Sequence, residues 1–401
     1  MPATSLLPLE MEETILNLLA EDDDDDCSAL KACSLVCQAF LPICRKHIFR
    51  SIDLTYHGGA PPRTLHAFER LLQQSPEIAN YIRKLDYIVE DSPSPSIQDS
   101  LKQISGLIFL TVKGYSSEPG NEFDWSDNPI RPALLHLLHL PTLIYFEGAS
   151  FNNFVVSDLI PCVNLKYLHF GPFTIGTAET TFPAALPERS IPLNEMVIRV
   201  YTATVIAKLC RARRPDGQPI IDFRSLSKIT LTLQKPNESE AAQELFRRCQ
   251  NLANVCITFL LPREVMPSLS NMLWPSIQTL KHIVVEVHVD DVDVDPLFGV
   301  PFELEDMRAT NIIESITIRV SLLMDSDCRK GGDWGRLDKV LTTPGWFNSL
   351  KRVSLAIEVA SFSRTDEKRQ VALRKLPEKQ FLRLSTSNSV SFDFEVTSVL
   401  V

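Results

Sequence analysis

A short apolar pattern, φ-x-x-φ-x-φ with φ an apolar residue, recurs along most of this 401-residue chain and constrains its fold more than any other feature. Its clear copies are Ile82/Leu85/Tyr87, Ile104/Leu107/Phe109, Leu140/Leu143/Tyr145, Leu165/Leu168/Phe170, Leu193/Met196/Ile198, Leu226/Ile229/Leu231, Leu252/Val255/Ile257, Leu280/Ile283/Val285, Ile313/Ile316/Ile318 and Leu350/Val353/Leu355. Apolar residues two apart at the end of each copy read as a strand with one buried face. Successive central residues lie 22 to 37 positions apart, room for one strand, one helix and two loops. Helix-like stretches fall in the gaps, at 203–210 and at 240–249, the second with Ser239 as a candidate cap. A strand–helix unit of this size cannot bury its own apolar face, so the units are expected to stack side by side into a parallel sheet.

This array resembles leucine-rich repeats, in an irregular form. Several intervals exceed the usual span of about 20–29 residues, and no Asn or Cys follows at the position of the repeat's internal ladder: after Leu231 come Thr232, Leu233 and Gln234. The competing fold is an open α/β sheet with right-handed crossovers. Its dinucleotide-binding version is disfavoured by only 14 glycines and no G-x-G-x-x-G opening a helix. On a solenoid, the side chains flanking each central apolar residue line the concave face. Here they include Lys84, Asp86, Tyr167, His169, Glu195, Arg199, Lys228, Thr230, His282, Glu286, Arg319 and Arg352. Mixed charge with one aromatic and two histidines fits a protein ligand better than a small molecule. Ile108, Ile144, Val197 and Val284 hold equivalent places, so that face is expected to be partly apolar or partly covered.

Upstream, residues 7–54 read as three helices and a short strand. Pro8 suits a first helical turn, where Glu10, Glu12 and Glu13 complement the helix dipole. Ile15, Leu16 and Leu19 give this helix an apolar stripe. Ser28 is a candidate cap for a second helix carrying Leu30, Cys33 and Val36 or Cys37, and a third presents Phe40, Cys44, His47 and Ile48. Residues 51–54 alternate like a strand. Such a unit is near the lower size limit for independent stability, and its large apolar residues cannot all point inward. Some other surface is expected to cover the remainder.

The arrangement resembles the F-box, and more narrowly the F-box-like domain proteins of mushroom-forming fungi. The resemblance is carried by Leu7, Pro8, Leu9 and Glu10, by Ile15 and Leu16, by residues 30–37, and by residues 47–52. The stretch 68–85 is similar too, through Leu71, Leu72, Ser75, Pro76, Ile78 and residues 81–85. It implies docking to the Skp-type adaptor subunit of cullin–RING ubiquitin ligases, with Leu7, Pro8, Ile15, Leu16, Leu35, Val36 and Phe40 at the contact. An unknown target protein would then be held by the repeats. The chain departs from the family at Glu12, where an aliphatic residue is usual, at Phe40, where Trp is usual, and in the run of five Asp that lengthens the first inter-helix loop. Those departures keep a second reading open, in which the helices cap the open end of a non-ligase scaffold.

Motifs for chemistry are absent: there is no G-x-S-x-G, Walker-type loop, H-E-x-x-H or kinase signature. His57, Gly58 and Gly59 lack an accompanying nucleophile elbow, and the glycines after Lys330 lack the Lys-Ser/Thr of a phosphate cradle. Asp291, Asp293 and Asp295 share one side of an extended stretch, yet without a fixed turn or bidentate partner they read as a solvated strand end. Cys33 and Cys37 are i,i+4, but no second pair follows to complete a metal site. Asn237 heads a glycosylation sequon that matters only in a secreted chain. A net charge of −10 (50 acidic, 40 basic) argues against nucleic acid. No apolar run reaches membrane-spanning length. Nine cysteines and no visible export signal point to reduced thiols in the cytoplasm or nucleus.

The expected fold class is therefore α/β: an N-terminal F-box-like three-helix module at 5–54, a connector and helix at 55–81, and an irregular leucine-rich-repeat-like strand–helix solenoid at 82–401. The expected function is that of an adaptor rather than an enzyme, with no cofactor and no metal.

Overall fold

The apolar copies become parallel strands whose alternate side chains are buried. The computed structural model describes residues 8–22, 27–36, 38–55, 63–89, 94–115, 123–171, 173–176, 189–235, 237–260, 268–289, 297, 299–308, 311–322, 332–361, 371 and 373–400. Among them the fold is mixed α/β, with thirteen α-helices and a large parallel sheet. The chain divides into two compact units, 1–165 with 176–187, and 166–175 with 188–401.

Unit 1 opens with α1 (Leu9–Asp22), α2 (Ser28–Ser34) and α3 (Phe40–Ile48). Its main strands are β1 (Ser51–Leu54), β2 (Lys84–Val89), β3 (Phe109–Gly114) and β5 (Tyr145–Ala149), hydrogen-bonded in that order and all parallel. The short β4 (Phe123–Asp124) and β6 (Phe151–Phe154) form a separate parallel pair. Helices α4 (Arg63–Gln74), α5 (Pro95–Lys102) and α6 (Arg131–Leu138) pack successively against one another.

Unit 2 repeats the scheme at greater length. Its main strands are β7 (Tyr167–Phe170), β10 (Glu195–Ile198), β12 (Lys228–Leu233), β13 (Asn254–Phe259), β14 (His282–Val289), β15 (Ser315–Leu322), β16 (Arg352–Ser361) and β17 (Ser391–Leu400), again parallel and in chain order. Between them lie the short strands β8 (Phe173–Ile175), β9 (Ile191–Pro192) and β11 (Ile221–Asp222). The helices are α7 (Thr202–Arg211), α8 (Glu238–Phe246), α9 (Leu269–Leu273), α10 (Val300–Asp306), α11 (Asp333–Thr342), α12 (Leu376–Gln380) and α13 (Leu382–Ser385). Neighbours α7 to α11 pack in series. Asn237, not Ser239, precedes α8, and Cys27, with a φ of 51°, caps α2 in place of Ser28.

Neither unit reverses its strand order, the point at which doubly wound sheets form their binding crevice. Burial alternates along the strands: Leu85, Tyr87 and Val89 are buried while Lys84, Asp86 and Ile88 are not, and β15 follows the same rhythm. A doubly wound sheet buries both faces; these strands bury one.

Register corrects two of the expected copies. Lys84, Phe109 and Tyr145 are cross-strand partners, as are Leu85, Leu110 and Phe146. The inward sets are therefore Leu107/Leu110/Val112 and Leu143/Phe146/Gly148, three residues later than the pattern suggested, which leaves Phe109 exposed and Tyr145 half-buried. Both stretches are rich enough in apolar residues to satisfy the pattern in two frames, and pairing with β2 selects one. At Gly148 a Cβ would come within 3.0 Å of the Phe151 ring, so the smallest residue stands where other copies bury a large one. The remaining copies fall on the buried face as expected, and β17 adds a strand that the pattern did not include.

Carboxylates tie the helices together. Glu69 on α4 accepts from the Ser96 hydroxyl at 2.8 Å and from Ser94, the cap of α5. Glu303 on α10 accepts from the Ser270 amide and hydroxyl, both at 2.9 Å, at the start of α9. Asp338 on α11 accepts from the Arg383 and Leu384 amides at 3.1 and 2.8 Å, at the start of α13. Each anion meets the positive end of a helix and satisfies donors that would otherwise lack partners. In unit 1, Asp158 accepts from Trp125 Nε1 at 2.8 Å and from Arg131 Nη2 at 2.9 Å, joining α6 to the turn at Val156–Leu159.

Asp158→Ala should destabilise the fold by about 3–5 kcal/mol, because it leaves a largely buried guanidinium and an indole N–H unpaired. Urea denaturation followed by tryptophan fluorescence measures this. Burial opposes ionisation of Glu69, but hydrogen bonds from Ser94, His66 and Ser96 outweigh it and hold the carboxyl below its ordinary value of 4.5. A depressed folded pKa stabilises above the unfolded value and is lost as pH falls through the folded one. The stability difference between the native chain and Glu69→Gln should therefore shrink as pH drops below 4.5, read from urea midpoints in an acid series.

Candidate functional site

The fourteen residues of α1 carry apolar side chains on two sides, and one of these packs against α2 and α3. Leu16 joins Leu30 and Cys44 in a small core, with Leu19, Ala20, Cys33, Phe40, Ile43 and Ile48 packed around it. Glu12, one turn before Leu16, is buried on the same side. The other side presents Met11, Ile15 and Leu18, which are 52%, 50% and 56% exposed. Their i, i+4, i+7 spacing makes a single stripe. In the turn after α2, Leu35 and Val36 are 87% and 71% exposed. Single exposed apolar residues need no explanation, whereas a grouped set marks an interaction surface.

Of the residues expected at an adaptor contact, Pro8, Ile15, Leu35 and Val36 are exposed. Leu16 is instead enclosed by the chain's own helices, because a helix lying on two others must turn one stripe inward. Phe40 is half-buried on that core. Leu7 lies outside the described residues. Met11 and Leu18 were not singled out from sequence, although their spacing from Ile15 was there to find.

The residues expected on a concave face all lie on the less buried side of the strands. In unit 2, Tyr167, Glu195, Lys228, His282 and Arg352 share one row of the register, with Asn254, Ser315 and Ser391 completing it. His169 and Thr230 lie on the next row, flanking Val197, and Arg199 follows β10. Glu286 and Arg319 pair across β14 and β15. Lys228 and His169 approach Glu195 at 3.0 and 3.6 Å. Arg319 reaches Glu286 at 2.6 Å, and the Thr258 hydroxyl donates to it at 2.7 Å. Burial would raise the Glu286 carboxyl, but these hydrogen bonds and the Arg319 charge hold it below the usual range. In unit 1, Lys84 pairs with Asp86 at 2.9 Å, and the rings of Phe109 and Tyr145 lie 5.7 Å apart. Arg199 and Arg352 remain exposed cations. Exposed ion pairs of this kind contribute little stability, about 0–1 kcal/mol; their effect is to fix where charge is presented.

Burial pushes the Cys210 thiol up to about 11 and Cys249 to about 12, and raises Cys162 as well. Cys256 is held at about 11 by burial and the Glu286 charge. Such thiols stay protonated and unreactive at neutral pH. Among the described residues no group of three His, Cys, Asp or Glu is placed to hold a metal ion, and no helix is long and apolar enough to cross a membrane. Cys37, the aspartates at 291, 293 and 295, the glycines at 58 and 59, and Lys330 lie outside the described residues. No family model matches the chain, and no curated protein is similar to it.

The two sides of α1 should respond differently to substitution. Leu16→Ala is expected to cost about 2–5 kcal/mol, while Ile15→Ser and Leu18→Ser should stay within about 0.5 kcal/mol, compared by urea denaturation.

Proposed function

We propose that this chain is a non-enzymatic substrate-recognition adaptor of a Skp/cullin/F-box-type ubiquitin ligase, working in the cytoplasm or nucleus. The observation that carries the reading is the uncovered stripe Met11, Ile15 and Leu18, with Leu35 and Val36 beside the same small helical core. Those side chains are held out by a core already filled on the other side of α1, which favours a second polypeptide as their cover. In this reading α1 to α3 are an F-box-like module, Pro8, Ile15, Leu35 and Val36 meet the Skp-type adaptor, and Met11 and Leu18 join them. The parallel strands and their one-sided helices form a leucine-rich-repeat-like solenoid. Its open face, with Tyr167, Arg199, His282 and Arg352, takes the target protein. The target held on this face would present its lysines for modification.

A second reading has support of its own. Arg83 and Lys84 both donate to the Arg50 carbonyl, at 2.8 and 2.9 Å, and β1 pairs with β2, so the segment after α3 is built into the sheet. The helices would then cap a scaffold rather than dock a ligase subunit. Removal of residues 1–50 separates the two: a capping role predicts loss of the cooperative unfolding transition, and a docking role predicts its retention.

Affinity purification of the tagged chain should recover a Skp-type adaptor, and the Ile15→Glu/Leu18→Glu double variant should lose it while its circular dichroism is unchanged. Recovery of equal amounts with the variant, or of none with the native chain under gentle lysis, rejects the ligase reading.

A further inference from the structure

A cavity of about 460 Å³ lies in unit 1 where α1 and α3 meet the segments that lead into β2 and β3. Four basic side chains line it, Lys46, His47, Arg50 and Arg83, together with Tyr81 and Asn17. No carboxylate lines it among the described residues, in a chain whose net charge is −10. Arg83 is fixed in place: its Nη1 donates to the carbonyls of Asn80 at 2.7 Å and Ile82 at 3.0 Å, and Gly106 leaves room for the guanidinium against the backbone. His47 Nε2 lies 2.7 Å from Asn17 Oδ1. Lys46 approaches Glu13 only to 3.7 Å, with both side chains about half exposed.

Three cations facing one cavity repel each other, and an anion between them relieves that repulsion. The lowered pKa of His47 reports the same field: burial contributes most, then the charges of Lys46 and Arg50, against Glu13. The ring is therefore neutral at pH 7 and leaves Lys46, Arg50 and Arg83 as the charge to be matched. Guanidinium and ammonium groups together are the usual partners of phosphoryl oxygens. A cavity of this volume falls in the range of small-ligand sites, about 300–1,000 Å³.

We propose that this cavity binds a small soluble anion carrying two phosphoryl groups, of the pyrophosphate or organic diphosphate class. The proposal stands apart from the docking reading, since none of the exposed apolar residues of α1 lines the cavity. Because the walls come from α1, α3 and the segments before β2 and β3, the bound anion also clamps the N-terminal helices to the sheet.

Calorimetric titration of the full chain with sodium pyrophosphate, at ionic strength held constant with sodium chloride, should show saturable one-to-one binding, tighter than for inorganic phosphate, and a raised melting temperature. Lys46→Gln and Arg50→Gln, both at exposed positions, should each weaken binding about tenfold with unchanged circular dichroism, the loss of one charge-assisted contact. Absence of saturable binding overturns the proposal, as does equal affinity in both variants. Co-sedimentation with phosphatidylcholine vesicles containing a phosphoinositide, without binding of soluble pyrophosphate, assigns the cations to a membrane headgroup and overturns it too. Affinity that emerges only when Asp23, Asp24, Asp25 and Asp26 are replaced by Asn would mean that the chain's own acidic run satisfies the cavity, and overturns it for the native protein.

Discussion

Along the long strands of this protein burial favours one of the two sides, and that bias organises the rest. A parallel strand cannot fold back on its neighbour through a tight turn, so each return crosses over through a helix or an extended loop. With the strands laid down in chain order and no reversal within either unit, the crossovers deliver their helices to the same side. That side becomes the core, where Leu85, Leu168, Met196, Ile229, Ile283 and Ile316 are fully buried. The opposite side is less buried and mixed, with charged and hydroxyl groups beside the Phe109 and Tyr145 rings and Val197. It is a surface by construction, and the strand register decides which side chains stand beside each other on it.

The same one-sidedness explains the carboxylates of the helix layer. Helices packed in series expose their amino ends to their neighbours, and those ends carry unpaired N–H groups. Asp338 and Glu303 are buried or half-buried charges at the right places to accept from them, and Glu69 accepts instead from the Ser94 and Ser96 hydroxyls at the start of α5. A buried carboxylate without such donors would be costly. With them, it sets which helix may follow which, so the layer has a specified order as well as a hydrophobic adhesive.

Much of this was legible in the sequence, because period-two burial leaves its mark directly on residue type. The copies centred on Leu168 to Val353 needed no structural help. The frames at Leu107 and Leu143 did, because an apolar run admits more than one register and only the partner strand decides between them. β17 was overlooked for a related reason. As the last strand it interleaves Phe392, Phe394 and Val396 with Asp393 and Glu395, and much of it is exposed, so its apolar signal is weak. Edge strands are commonly charged in this way, which discourages pairing with other chains. At the amino end the apolar residues of α1 were visible, but their division into an inward and an outward stripe depends on where α2 and α3 lie. Leu16 and Ile15 are adjacent in sequence and opposite in fate. The cationic cavity was invisible to pattern reading, since only tertiary structure brings Arg83 to Lys46 and Arg50, which lie one helical turn apart at the end of α3.

Charge on the open face of unit 2 is largely matched at short range. Glu195 is held between Lys228 and His169, and Glu286 between Arg319 and Thr258. Paired in this way, these groups project a weak field beyond about one Debye length, roughly 8 Å at physiological salt. Long-range steering by this face is therefore weak, and any partner it binds is recognised mainly at contact. The groups suited to contact recognition include the exposed Arg199 and Arg352, the Tyr167 ring, and the hydroxyls of Thr230, Thr317 and Ser354 between the strands. Aromatic and arginine side chains dominate binding energy where they can be fully desolvated, and hydroxyls tolerate several hydrogen-bonding geometries. A face built this way presents shape and local hydrogen-bonding groups rather than net charge, although the chain as a whole is acidic.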